Sequence, residues 1–295
     1  MSEKLGKGTA VAWLLGAMSA PVAIYAGYVS WQWTLVVGII CTAACLVVQK
    51  WGQKWESPMN RWAQLVLLGV VAGVIATKIA PCWGEQGEIM PLTLIVLAVL
   101  TASAGQERSC RLCCVTSWIL IVLLVVVTAV GIKNIEIRRL APTSAWNDML
   151  IPVFLIPCVL LFIPHKRGGY AAQFLILLFG MVISVLCMGT ASNLGHMPIY
   201  EYSKSLTLLG VAERFEAVTS VAMTLGLHSL LSLLFTAAEN LVRHGALLCG
   251  GIAVVILLFL GEIGVILTVF TAVLWVFLPL LTALIKKLKK DEKSA

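Results

Sequence analysis

The chain has 295 residues, of which 60% are hydrophobic and 12% charged, with a formal net charge of +7. A soluble domain carries roughly 25% charged residues, so composition points away from that class. Recurrent uncharged runs of about twenty residues point to a polytopic α-helical membrane protein. The runs lack period-two alternation, which argues against an outer-membrane barrel. The positive charge has no basic face or aromatic platform beside it, which argues against nucleic acid as a partner.

Taken in order, the chain opens with Lys4 and Lys7 ahead of a first apolar run, residues 8–29. That run is long for a signal-peptide core and reads as a retained span. Its middle, Gly16-Ala17-Met18-Ser19-Ala20-Pro21, weakens a helix: Pro21 cannot donate to the Ala17 carbonyl, and Gly16 adds backbone freedom. Residues 31–49 form a second predicted span, followed by a positive loop with Lys50, Lys54 and Arg61 and the interface anchors Trp51 and Trp55. The third span, 61–80, carries Gly69-x-x-x-Gly73, a small-residue face for close helix approach. A shorter fourth span, 89–104, precedes Arg108 and Arg111, and a fifth covers 114–132.

After the polar interval 133–148 comes a sixth span, 149–164, holding Pro152, Pro157 and Pro164. Prolines five apart inside one span interrupt its helix. His165-Lys166-Arg167 closes it, and residues 170–192 make the seventh. A polar insert, Met197-Pro198-Ile199-Tyr200-Glu201-Tyr202-Ser203-Lys204, leads through Glu213-Arg214-Phe215-Glu216 into the eighth span, 215–236. Spans nine and ten, 245–260 and 263–285, form a hairpin about Gly261-Glu262, and the basic tail 286–295 follows.

Ten spans with breaks in the first and sixth imply a single membrane domain over 1–295, built as a 5+5 inverted repeat (about 8–132 and 146–285). Of the 21 Lys and Arg residues, 15 fall on the side of the termini and six on the other, which predicts both termini in the cytoplasm. The basic tail suits anionic lipid headgroups. Half-helix ends at the two breaks offer amides to a carboxylate and carbonyls to an ammonium, the two charges of an amino acid.

Polar groups recur every fourth residue along the eighth span: Glu216, Ser220, Thr224, His228, Ser232 and Thr236, with Thr219 and Ser229 widening the line. Such a line drifts about 40° per step around a helix. Its hydroxyls either bond back to their own backbone or reach neighbouring helices. His228 is an ionisable group at predicted membrane depth. It is either a ring bonded to a neighbouring carbonyl or a member of a proton or polar network. Most of the nine cysteines lie in apolar runs, as small hydrophobes do. The one cluster, Cys110-x-x-Cys113-Cys114, could hold a metal or an acyl chain but has no His or second Cys pair near it in sequence. No phosphate loop, HExxH or GxSxG is present, and no carboxylate pair sits within a span, so an enzyme is not expected, nor a metal or other cofactor.

The residues Pro198, Ser205-Leu206-Thr207-Leu208-Leu209-Gly210 and Glu213-Arg214-Phe215-Glu216 resemble the region before the eighth helix of spore germination permeases. These are the B subunits of GerA-type germinant receptors, within the amino acid–polyamine–organocation superfamily. Phe154-Leu155-Ile156-Pro157 followed by His165-Lys166-Arg167, with Pro142 in the preceding loop, is similar to that family's sixth span and its basic exit. The likeness is concentrated between residues 133 and 236. It implies a LeuT-like fold in the inner membrane of a spore-forming bacterium and a nutrient-sensing complex with A-type and C-type subunits. It further implies a ligand site among Gly16, Ala17, Ser19 and Ala20, Phe154 and Pro157, and Thr219, Ser220 and Thr224. An ordinary amino acid transporter coupled to H⁺ or Na⁺ is the alternative expectation, and a scaffold subunit without ligand is a third.

Overall fold

The computed structural model describes residues 31–51, 58–80, 89–131, 136–140 and 215–259, with a few isolated positions elsewhere. Its elements are α1 (Trp31–Trp51), α2 (Pro58–Ile79), α3 (Ile89–Ser103), α4 (Gln106–Gly131), a 3-10 turn (Ile137–Leu140), α5 (Phe215–Leu241) and α6 (Gly245–Phe259). Local sequence sets several of these limits. Pro58 occupies the first position of α2, where its fixed φ suits a helix and its missing N–H is not needed. Gly105 ends α3 at φ +110°, and its N–H donates to the Ala102 carbonyl at 3.1 Å. The chain turns there within two residues and begins α4 eight positions ahead of the predicted fifth span. The extra turns of α4 are polar and carry an exposed Arg111–Glu107 pair at 2.5 Å.

Helix α5 is the centre. Every residue from Ser229 to Ala238 is buried, on all sides of the helix. A helix covered around its whole circumference must be surrounded by others, and α5 packs on α2, α3, α4 and α6. The neighbours bury single stripes. In α3 the stripe is Pro91, Leu94, Ile95, Ala98 and Ala102, at helical spacing. In α6 it is rich in small residues, including Gly245, Ala246, Cys249, Gly250 and Ala253.

Helices α2 and α6 approach closely, and glycine permits it. A Cβ built on Gly69 falls 2.7 Å from Ile252 Cβ and 3.0 Å from the Cys249 carbonyl oxygen. One turn on, Gly73 meets Ile256 and Ala253 in the same way. Both contacts advance by four residues, so α2 and α6 run parallel. The Gly69-x-x-x-Gly73 face is therefore a true contact face.

The ten-span, LeuT-like integral membrane class is corrected here. Among the described residues there are six α-helices, and none is long and apolar enough to cross a membrane. Two of them, α3 and α6, have 15 residues, a rise of about 22 Å against a hydrocarbon core of about 30 Å. The longer ones carry polar ends: α2 begins with Asn60, Arg61 and Gln64, α4 with Gln106-Glu107-Arg108, and α5 closes with Glu239-Asn240. Of these polar residues only Arg61 and Gln64 fall inside a predicted span, 61–80; helices α4 and α5 run past the predicted 114–132 and 215–236 into polar sequence. The breaks expected at Gly16–Pro21 and at Pro152 and Pro157 lie outside the described residues.

Candidate functional site: a polar seam on the central helix

The polar line on α5 divides into two kinds of group. Thr224 Oγ1 donates to the Ser220 carbonyl at 2.9 Å, Ser232 Oγ to the His228 carbonyl at 2.7 Å, and Thr236 Oγ1 to the Ser232 carbonyl at 2.6 Å. These hydroxyls each serve their own helix one turn back, the local alternative that short hydroxyl side chains always have. The every-fourth spacing thus reflects a backbone ladder more than a ligand face.

His228 and Ser229 do something different, because they reach out to α3 and α4. Ser229 Oγ donates to Thr116 Oγ1 at 2.9 Å, and Cys113 Sγ donates to the Ser229 carbonyl at 3.3 Å. Thr116 Oγ1 in turn donates to the Leu112 carbonyl at 2.9 Å, so each hydroxyl proton has one destination. His228 Nε2 lies 3.4 Å from Thr101 Oγ1. The single Thr101 proton is committed to the Leu97 carbonyl at 2.9 Å, so Thr101 accepts from an Nε2–H of His228. Where α3 turns into α4, Ser109 Oγ lies within reach of both the Thr101 and the Gly105 carbonyls, at 3.2 and 3.3 Å. A continuous seam results: Ser109, Thr101 and His228 on one side, Ser229, Thr116 and Cys113 on the other.

Part of the predicted site falls among the described residues. Ser220 and Thr224 sit half-buried on α5, about two turns and one turn before His228. Thr219 is in the same helix. Gly16, Ala17, Ser19, Ala20, Phe154 and Pro157 lie outside the described residues, so the structure brings none of them to α5. Cys110 and Cys113 are buried in the core, and among the described residues no group of His, Cys, Asp and Glu could hold a metal ion. Cys113 acts there as a small packing residue with a weak donor.

Sequence reasoning passed over Thr101, Ser109 and Thr116. Lone hydroxyl residues inside apolar runs give no signal until helix faces are known. A second omission lies across α5, on α2. Gln64 is 1% exposed, and neither its Nε2 nor its Oε1 has a hydrogen-bond partner among the described residues.

The α5–α6 turn is built around Glu239. Glu239 Oε1 accepts from the His244 N–H at 3.2 Å and Oε2 from the Ala246 N–H at 3.0 Å, which caps α6. His244 takes a left-handed conformation at φ 62°. A Cβ on Gly245 would run into the Ala238 carbonyl, so only glycine fits. No protein-family model matches the chain, and no curated protein matches it.

Proposed function

We propose that this protein is a membrane-bound subunit of a spore nutrient-germinant receptor, which binds a small nutrient such as an amino acid and passes the event to A-type and C-type partner subunits. Two things support the reading: the likeness of residues 133–236 to the germination permeases, and the position of α5. The position of α5 carries it. The polar residues proposed for the ligand, Thr219, Ser220 and Thr224, are on the helix that all four neighbours share. A small displacement of α5 would therefore be felt in every helix contact of this core. His228 and Ser229 tie that displacement to α3 and α4 through polar bonds with definite geometry. Ligand binding then selects one of two arrangements of α5, and the partners read the difference.

The test is a thermal-unfolding screen of the purified chain against L-amino acids. At least one is expected to raise the midpoint by about 2 °C or more, and Thr224→Val should diminish that shift. Absence of a shift across the whole panel removes the nutrient-binding reading. Uptake of the same amino acid into liposomes by the purified chain alone would instead favour a transporter.

A further inference from the structure

Where α3 packs on α5, the hydrogen-bond donors are spent and the acceptors are not. Thr224 Oγ1 gives its one proton to the Ser220 carbonyl, and Thr101 Oγ1 gives its own to the Leu97 carbonyl. The Nε2–H of His228 goes to Thr101 Oγ1. A neutral imidazole has a single N–H, so Nδ1 keeps a lone pair, and a threonine oxygen has two whether or not its proton is committed. Thr224, His228 and Thr101 are each half-buried, so this edge of the seam is open to the surface.

The two acceptors on α5 lie together. Thr224 and His228 are four residues apart, which sets their Cβ atoms about 5–6 Å apart on one face. A helical side chain leans over the turn before its own Cα, and this carries the imidazole toward Thr224. No positive charge competes for the place. Neither Phe215–Leu241 nor Ile89–Ser103 contains a Lys or Arg. On α4, Arg108 and Arg111 are exposed, and Arg111 is held by Glu107. A carboxylate brought to Thr224 and His228 would find lone pairs and no donor. Beside the acceptors the surface is apolar, with Val221 and Leu225 exposed on α5 and Leu97 exposed on α3.

We infer that the Thr224–His228 pair binds a primary ammonium group carried on a short aliphatic chain. Two of its N–H groups donate to Thr224 Oγ1 and His228 Nδ1, charge-assisted bonds that are stronger than neutral ones. The third stays in water, and the chain lies on the apolar flank. Because the pair is half-buried, the ammonium keeps part of its hydration and needs no buried counter-charge. The inference deepens the nutrient reading and rests on it: of the two charges of an amino acid, α5 takes the ammonium.

The experiment is thermal unfolding of the full chain at pH 7 with butylammonium, isobutylammonium and isopentylammonium chloride. Each is paired with its N,N,N-trimethyl derivative, and butyrate and isovalerate form a third set, with ionic strength matched by sodium chloride. The primary ammonium salts are expected to raise the midpoint by about 2 °C or more at saturation. The trimethyl forms, which carry the charge without an N–H, and the carboxylates should leave it unchanged. His228→Phe should remove the shift, and His228→Gln, which keeps a donor and an acceptor, should restore part of it. Thr224→Val should weaken the shift and serves if the phenylalanine variant does not fold. The inference is overturned if no primary ammonium salt shifts the midpoint, or if the trimethyl forms or the carboxylates act as well. It is also overturned if the shift survives intact in both His228→Phe and Thr224→Val. An amino acid that stabilises the chain while every amine fails would sink this inference and leave the nutrient reading standing. Amines that act while no amino acid does would leave the ammonium site and remove the nutrient reading.

Discussion

Ser229 shows how much of this core hangs on single polar groups. Its hydroxyl has one acceptor, Thr116 Oγ1 at 2.9 Å, and both residues are buried. A buried neutral hydrogen bond of this kind contributes about 1 kcal/mol. Ser229→Ala and Thr116→Val should each lower stability by that order, and their double-mutant cycle should return a coupling of about 1 kcal/mol. Denaturant titration of the four variants measures it, and additive effects would mean that the pair contributes nothing specific. His228 belongs to the same scale. Its Nε2 lies 3.4 Å from Thr101 Oγ1 on α3.

At the scale of the helix, glycines divide by what surrounds them. Gly251 is exposed, with nothing within 4 Å of an added Cβ, whereas Gly69 faces Ile252 and the Cys249 carbonyl across a closed interface. Alanine gains about 1 kcal/mol over glycine from helix propensity alone. Gly251→Ala should therefore raise the unfolding midpoint and Gly69→Ala should lower it, with Ile252→Ala partly restoring the latter. A destabilised Gly251→Ala, or an indifferent Gly69→Ala, would contradict the close parallel packing of α2 on α6.

The same contrast explains what could be read without coordinates. Apolar runs located the helices well: the predicted eighth and ninth spans begin at Phe215 and Gly245, where α5 and α6 do. The Gly69–Gly73 face was legible because its spacing fits one helix side. Run length misled, since it cannot separate a residue that faces lipid from one that faces another helix. Gln64 was invisible for a related reason. A single polar residue near a helix start reads as solvated until packing shows it enclosed.

At the scale of the whole molecule, the outer surface of the described helices is unusually apolar. On α4, Val115, Trp118, Ile119, Val122 and Val125 form an exposed stripe at helical spacing, with Trp118 65% exposed. Leu247, Val255, Leu258 and Phe259 do the same on α6, and Trp33, Val36, Ile39 and Ile40 on α1. Contiguous apolar surface of this extent marks contact with lipid or protein, and it supports the membrane location proposed above. The chain is expected to sediment with the membrane fraction at physiological salt. Recovery in the aqueous fraction without detergent would count against that location.

The parallel α2–α6 pair has a consequence in time. Its two halves are separated by roughly 180 residues. At a synthesis rate of about 5–20 residues per second, α2 leaves the ribosome some 10–35 s before the helix that covers its glycine face exists. Helices α3 and α4 likewise wait for α5, because their polar partners, His228 and Ser229, come more than a hundred residues later. The first half of the chain thus carries its contact faces uncovered through most of translation. Its survival in that interval depends on whatever membrane or helper surface receives it, and only the arrival of residues 215–259 closes the core.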